Sequence, residues 1–338
     1  MHNTRLEKEK EYISSVLQKM NQGQISRMMN TVNQIRADAA STHSPKKDEA
    51  YQALMSMTGC GNAKKQLEAM VAASAMNRIV RERKGIDVKQ YYHSVFRGNA
   101  GCAKTTCARL YASALAQAGV TKKDAFVELT RSMICGRYMG ETAPKVREIF
   151  EKNAGGVIFI DEAYSLFAGE DRTQKDYGTE AIEEMIVCLE KNPDTVTIFA
   201  GYPREMDRFL ESNPGLRSRI PFSVDFDDYT TEELMEIAEK MAAERGFAIS
   251  EDAGEKLRGI FDAARVVKGF GNGRFCRNLV ENAIRLKGMQ LGVVGAPNMG
   301  RFMDPALFSD EMLFTLDQDC FEERLVKTPE QVRSMGFR

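Results

Sequence analysis

The chain has 338 residues, 43% of them hydrophobic, which is enough for about two domains with buried cores. Its 47 basic and 48 acidic residues leave a net charge of −1, and that balance argues against a dedicated nucleic-acid or membrane-surface binder, either of which needs a basic excess. The seven cysteines, at positions 60, 102, 107, 135, 188, 276 and 320, have no CxxC spacing and suggest neither a disulfide framework nor a zinc site; no run approaches the roughly 18 apolar residues of a membrane span, and the charged start Met1 to Lys10 is unlike a secretory signal, so a soluble cytoplasmic protein is expected.

Along the chain, Ile13, Leu17, Met20, Met28, Val32 and Ile35 recur at helical spacing in a polar background, which predicts one or two amphipathic helices over 6–35. The run S-T-H-S-P-K-K at 41–47 reads as a linker, so 1–47 is a helical extension and the main body starts near Asp48. A helix is predicted over 62–84 on Leu67, Met70, Val71, Ala75 and Ile79. Short buried strands are predicted at 94–96, 125–129, 157–160 and 195–200, separated by helical stretches. That alternation implies an α/β fold, a parallel sheet with helices on both faces.

From Thr230 onward the strand signals vanish. Thr231-Glu232-Glu233 opens one helix, and 251–267 and 274–291 read as two more. Residues 229–291 are therefore expected to form a small all-helical domain after an α/β domain of 48–228. Residues 292–338 mix Gly, Pro and short apolar pieces, a C-terminal extension to which no role is assigned.

The chemistry starts at Gly98. Residues Gly98, Asn99, Ala100, Gly101, Cys102, Ala103, Lys104, Thr105 and Thr106 read G-N-A-G-C-A-K-T-T, one residue away from the phosphate-loop pattern G-x-x-x-x-G-K-[ST]. Such a loop turns successive backbone N–H groups inward around phosphate oxygens and leaves no room for side chains. Lys104 is expected to reach the β- and γ-phosphates of ATP, and Thr105 to place its hydroxyl on Mg²⁺. The helix that follows presents its N-terminus to the anion. Ala103 stands where the last glycine belongs; in a left-handed conformation it costs about 1 kcal/mol.

The partner motif is V-I-F-I-D-E at Val157 to Glu162, an apolar strand that delivers two carboxylates at its C-terminal end, where open parallel sheets bind ligands. Asp161 is expected to hold Mg²⁺ through water, and Glu162 to polarise the attacking water as general base.

Five strings then appear in collinear order within Tyr51–Leu291: G-R-Y-M-G-E-T-A-P-K-V-R-E-I-F from Gly136, G-G-V-I-F-I-D-E-A-Y-S-L from Gly155, I-F-A-G-Y-P from Ile198, F-L-E-S-N-P-G-L-R-S-R-I from Phe209 and F-G-N-G-R-F-C-R-N from Phe270. They resemble the AAA+ ATPases of the stage V sporulation protein K and red-type Rubisco activase group. The resemblance implies a five-stranded P-loop domain, a helical lid and a homo-oligomeric ring, usually of six subunits, with ATP sites between neighbours. It implies that Arg219 is an arginine finger reaching the neighbour's γ-phosphate, with Arg217 as helper or alternative, a role suited to a planar, permanently charged fork. Arg274 resembles the lid arginine that contacts phosphates in cis, with Arg277 as rival. Tyr138-Met139-Gly140 resembles a central-pore loop that grips a protein client. Tyr202 stands where related motors keep a polar sensor, and a packed tyrosine is the alternative.

The leading expectation is an ATP-driven protein remodeller. A second is a scaffold ring whose phosphate cradle is weakened at Cys102 and Ala103. A DNA-directed motor is disfavoured by the neutral charge and the aromatic pore loop.

Overall fold

A computed structural model describes residues 49–86, 90–136, 138, 140–167, 177–267, 269–291 and 308–322. The helices expected over 6–35, the linker at 41–47 and Met139 lie outside the described residues.

The chain enters through α1 (Glu49–Ser56) and α2 (Gly61–Lys84), then β1 (Ser94–Gly98) and α3 (Lys104–Gln117). There follow β2 (Phe126–Leu129), α4 (Arg131–Ile134), α5 (Thr142–Lys152), β3 (Val157–Ile160), a 3₁₀ turn (Ala163–Leu166) and α6 (Tyr177–Lys191). Next come β4 (Val196–Gly201), α7 (Pro203–Ser212), α8 (Pro214–Arg219) and β5 (Phe222–Phe226). The five strands form one parallel sheet in the order β2-β3-β4-β1-β5.

Period-2 alternation sorts each strand's side chains onto the two faces. Phe96, Phe159 and Ile198 pack with Leu67, Met70, Tyr111 and Leu115 on one face. Val95, Ile158, Ile160 and Phe199 pack with Val146, Phe150, Met185 and Phe209 on the other. Every residue of β3 and β4 is buried, as expected of central strands covered on both sides. The fifth strand, β5, lies at an edge, with exposed Ser223 and Asp225 alternating with buried Val224 and Phe226.

The second core is the lid, built from α9 (Thr231–Ala243), α10 (Glu251–Arg265) and α11 (Asn272–Gln290) around Leu234, Leu257, Phe261 and Leu279. Thr230 starts α9 with a capping box: its hydroxyl accepts from Glu233 N at 3.1 Å, and its own N–H donates to the Glu233 carboxylate at 2.8 Å. The lid is not helical throughout. A two-residue strand β6 (Ala248–Ile249) pairs in parallel with β7 (Thr315–Leu316), which follows α12 (Asp310–Phe314). Leu316, Cys320 and Phe321 are buried in the lid core, and Lys287 bridges to Asp317 at 2.8 Å. Part of the extension beyond residue 292 thus completes the lid. Strands of two residues leave no periodicity for a sequence to show.

Candidate active site

Sheet topology sets the site. β1, β3 and β4 run parallel with β4 between the other two, so the loops leaving their C-terminal ends are neighbours.

The loop after β1 curls from Gly98 into α3. Gly101 has φ 74°, and a Cβ there would stand 2.1 Å from Gly271 O, so no side chain fits. Ala103, the position out of pattern, has φ 61° and ψ 23°. It adopts the left-handed conformation that the missing glycine would take freely, and the strain expected of it is present. No side chain caps α3, and its first intrahelical bond from this end runs from Cys107 N to Ala103 O at 2.8 Å. The N–H groups of Lys104, Thr105 and Thr106 therefore point out of the helix end, the arrangement that fits a phosphate. Lys104 Nζ lies over the loop and donates to Gly98 O at 2.7 Å and Asn99 O at 2.9 Å. Cys102 Sγ donates to Asn99 O at 2.9 Å. All seven cysteines are free thiols.

At the end of β3, Asp161 Oδ1 accepts from Glu162 N at 3.0 Å. Glu162 itself has φ 52° and ψ 42°, a left-handed non-glycine residue where the chain turns sharply into the 3₁₀ turn. Strain of this kind clusters at functional sites. The turn brings Tyr164 back so that its hydroxyl donates to Glu162 Oε2. Burial, then the Glu162 carboxylate, push the Tyr164 phenol up from its ordinary value and keep it a donor. Its ring lies 6.0 Å from that of Tyr202, and Lys104 Nζ stands 5.8 Å from the Tyr202 centroid. Tyr202 follows β4 at the start of α7 and so joins the two halves of the site as a half-buried, cation-facing ring. Tyr164 escapes sequence reasoning because its approach depends on the backbone turn at Glu162.

Thr105 and Asp161 offer hydroxyl and carboxylate oxygens, the donor chemistry that Mg²⁺ takes. Among the described residues no group of three His, Cys, Asp or Glu could hold a metal. The residues present fit an ion that completes its shell with water and phosphate.

Arg219 and Arg217 fall elsewhere. Arg219, at the end of α8, pairs with Glu190 of α6 at 2.7 Å and donates to Gly215 O at 3.2 Å. Arg217 is exposed. Among the described residues neither is hydrogen-bonded to the loop or the acidic pair of its own chain. Arg274 and Arg277 are exposed on α11. Arg274 is beside the loop, since a Cβ on Gly101 would lie 2.9 Å from its backbone N. Tyr138 is 71% exposed, with its N–H donating to Glu141 at 3.1 Å and Gly140 at φ 82°.

A family profile described as "ATPase family associated with various cellular activities (AAA)" matches residues 94–227, and one described as "AAA lid domain" matches 230–303. Stage V sporulation protein K of Bacillus subtilis is 38% identical over 295 residues, covering 80% of this chain and 88% of that protein. The chain belongs to the AAA ATPase family. Within it the chain falls in the stage V sporulation protein K and red-type Rubisco activase group. Protein CbbX of Cereibacter sphaeroides is 41% identical over 192 residues, 56% of this chain and 62% of that protein. The fold matches the crystal structure of the FIGL-1 AAA domain with a TM-score of 0.56 at 20% identity, over 83% of this chain and 86% of that one. This AAA ATPase therefore has the nucleotide-binding fold, with the G-N-A-G-C-A-K-T-T loop and the Asp161-Glu162 pair at the carboxyl ends of β1 and β3, either side of β4. Among its described residues no helix is long and apolar enough to cross a membrane.

Proposed function

We propose that this AAA ATPase binds and hydrolyses MgATP at the subunit interfaces of a ring, most simply a hexamer, and uses the energy to remodel a protein client. The observation that carries the reading is the line from Lys104 through Tyr202 and Tyr164 to Glu162, which joins the phosphate loop to the acidic pair. On this reading Lys104 and the loop N–H groups bind the phosphates. Thr105, and Asp161 through water, would hold Mg²⁺, which when bound supplies positive charge that offsets the negative charge of the phosphates. Glu162 takes a proton from the attacking water, and Tyr164 fixes one oxygen of that carboxylate, which leaves the other to act as the base. Arg219 serves the neighbouring subunit, which requires it to leave Glu190; Arg217 is the alternative. Arg274 contacts phosphate in cis. Residues 48–228 act as the nucleotide domain and 229–291, completed by 315–321, as the lid, and the exposed Tyr138 is the client-facing grip.

A second reading is a ring that binds nucleotide but turns it over weakly, and the left-handed Ala103 favours it. Turnover by the full chain, measured across protein concentrations that span ring assembly, separates the two. Wild type is expected to hydrolyse ATP, with Glu162→Gln and Lys104→Ala each lower by about 100-fold or more. Wild-type turnover no higher than either variant in the assembled state would leave the scaffold reading.

A further inference from the structure

The lid is bonded directly to the phosphate loop through a side chain with no role in the proposed chemistry. Asn272, the second residue of the G-N-G-R string, is completely buried and has φ 46°. Asparagine tolerates that left-handed backbone better than most residues. Its buried amide must nevertheless find partners for its hydrogens and its oxygen. Nδ2 donates to Ala100 O at 3.2 Å and to Asp228 Oδ1 at 2.6 Å, and Oδ1 accepts from Tyr229 N at 3.0 Å.

The neighbours extend the connection. Gly273 N donates to Gly101 O at 3.0 Å, and a Cβ on Gly273 would lie 2.9 Å from that same oxygen. Asn99 Nδ2 donates to both oxygens of Asp228, at 3.0 and 2.9 Å. Three consecutive loop residues, Asn99, Ala100 and Gly101, are thus tied to α11 or to the 227–230 segment that leads into the lid. A carbonyl held in this way fixes the peptide plane, and with it the direction of the adjoining N–H.

We propose that Asn272 is a positioning residue: with Asp228 it sets the orientation of the phosphate-loop amides and transmits loop order to the lid independently of Arg274. The inference rests on the nucleotide-binding reading. Arg274 acts by touching the nucleotide's phosphates, whereas the Asn272 connection runs through the loop backbone. ADP that orders the loop therefore orders the first turns of α11 even in a chain without the Arg274 side chain.

Hydrogen exchange of the full chain with and without ADP tests this, with binding of a fluorescent ADP analogue followed in parallel. In Arg274→Ala protein at saturating ADP, exchange over 272–280 is expected to remain slowed by about threefold or more. Adding Asn272→Gly, which keeps the backbone conformation and deletes the amide, is expected to abolish that slowing. Adding Cys276→Ala instead, which loosens the lid core without touching the connection, is expected to preserve it. Asp228 is exposed, so Asp228→Ala supplies the same test should Asn272→Gly fail to fold. It is expected to reduce the slowing by at least about half. Loss of protection in Arg274→Ala alone, or full protection in both connection variants, overturns the proposal. Failure of wild type to bind the ADP analogue overturns the nucleotide reading and the proposal together.

Discussion

At the scale of single residues, two non-glycine positions in the left-handed region mark the site, Ala103 at φ 61° and Glu162 at φ 52°. A glycine at position 103 removes a steric cost of about 1 kcal/mol. Ala103→Gly is therefore expected to tighten nucleotide binding, by up to about tenfold if the whole cost is released when the loop closes on phosphate. Titration with a fluorescent ADP analogue checks this. Unchanged affinity would mean that the strain is equal in the free and bound loop.

At the scale of elements, His93 shows how the sheet is joined to the helices behind it. It is completely buried just before β1. Nδ1 accepts from Thr197 N of β4 at 3.1 Å, so Nε2 carries the proton and donates to Leu189 O of α6 at 3.3 Å. Burial pushes its pKa down to about 4. The unfolded chain takes up a proton near the ordinary pKa of about 6.5, and the folded chain refuses it until about pH 4, so stability falls as pH drops through that window. The loss is at most about 3 kcal/mol. His93→Asn is expected to cost stability at pH 7, and its deficit relative to wild type should narrow in urea melts towards pH 4.5. A deficit constant with pH would show that His93 is not the titrating group.

The same elements show what a sequence can and cannot display. The central strands at 157–160 and 196–201 are legible because burial on both faces leaves short runs that are apolar except for Thr197. The edge strand β5, F-S-V-D-F, alternates apolar and polar residues as a half-buried strand does, but it lacks the apolar run of the central strands and its five residues give the alternation little length in which to stand out. The phosphate loop and the acidic pair are legible because local spacing carries their chemistry. Contacts between distant segments are not, among them Asn272 with Ala100, Lys287 with Asp317, and Arg219 with Glu190. No local pattern encodes a partner so far along the chain.

At the scale of the whole molecule, the proposed function requires a catalytic unit larger than one chain. Lys104, Asp161 and Glu162 lie at one end of the sheet, while Arg219 is held by its own Glu190. A finger that acts in trans predicts complementation between different defects. Arg219→Ala subunits keep a whole phosphate loop, and Lys104→Ala subunits keep a whole finger, so a mixed interface can rebuild one complete site. Each variant alone is expected to bind or assemble yet hydrolyse ATP poorly. The most direct measurement is ATP turnover of Arg219→Ala and Lys104→Ala protein mixed in varying ratio, with mixed rings verified by native mass spectrometry. The account predicts turnover above that of either variant alone, greatest at intermediate ratios. Mixed rings with no gain in turnover would contradict a trans role for Arg219, and the same mixture made with Arg217→Ala would then identify the finger.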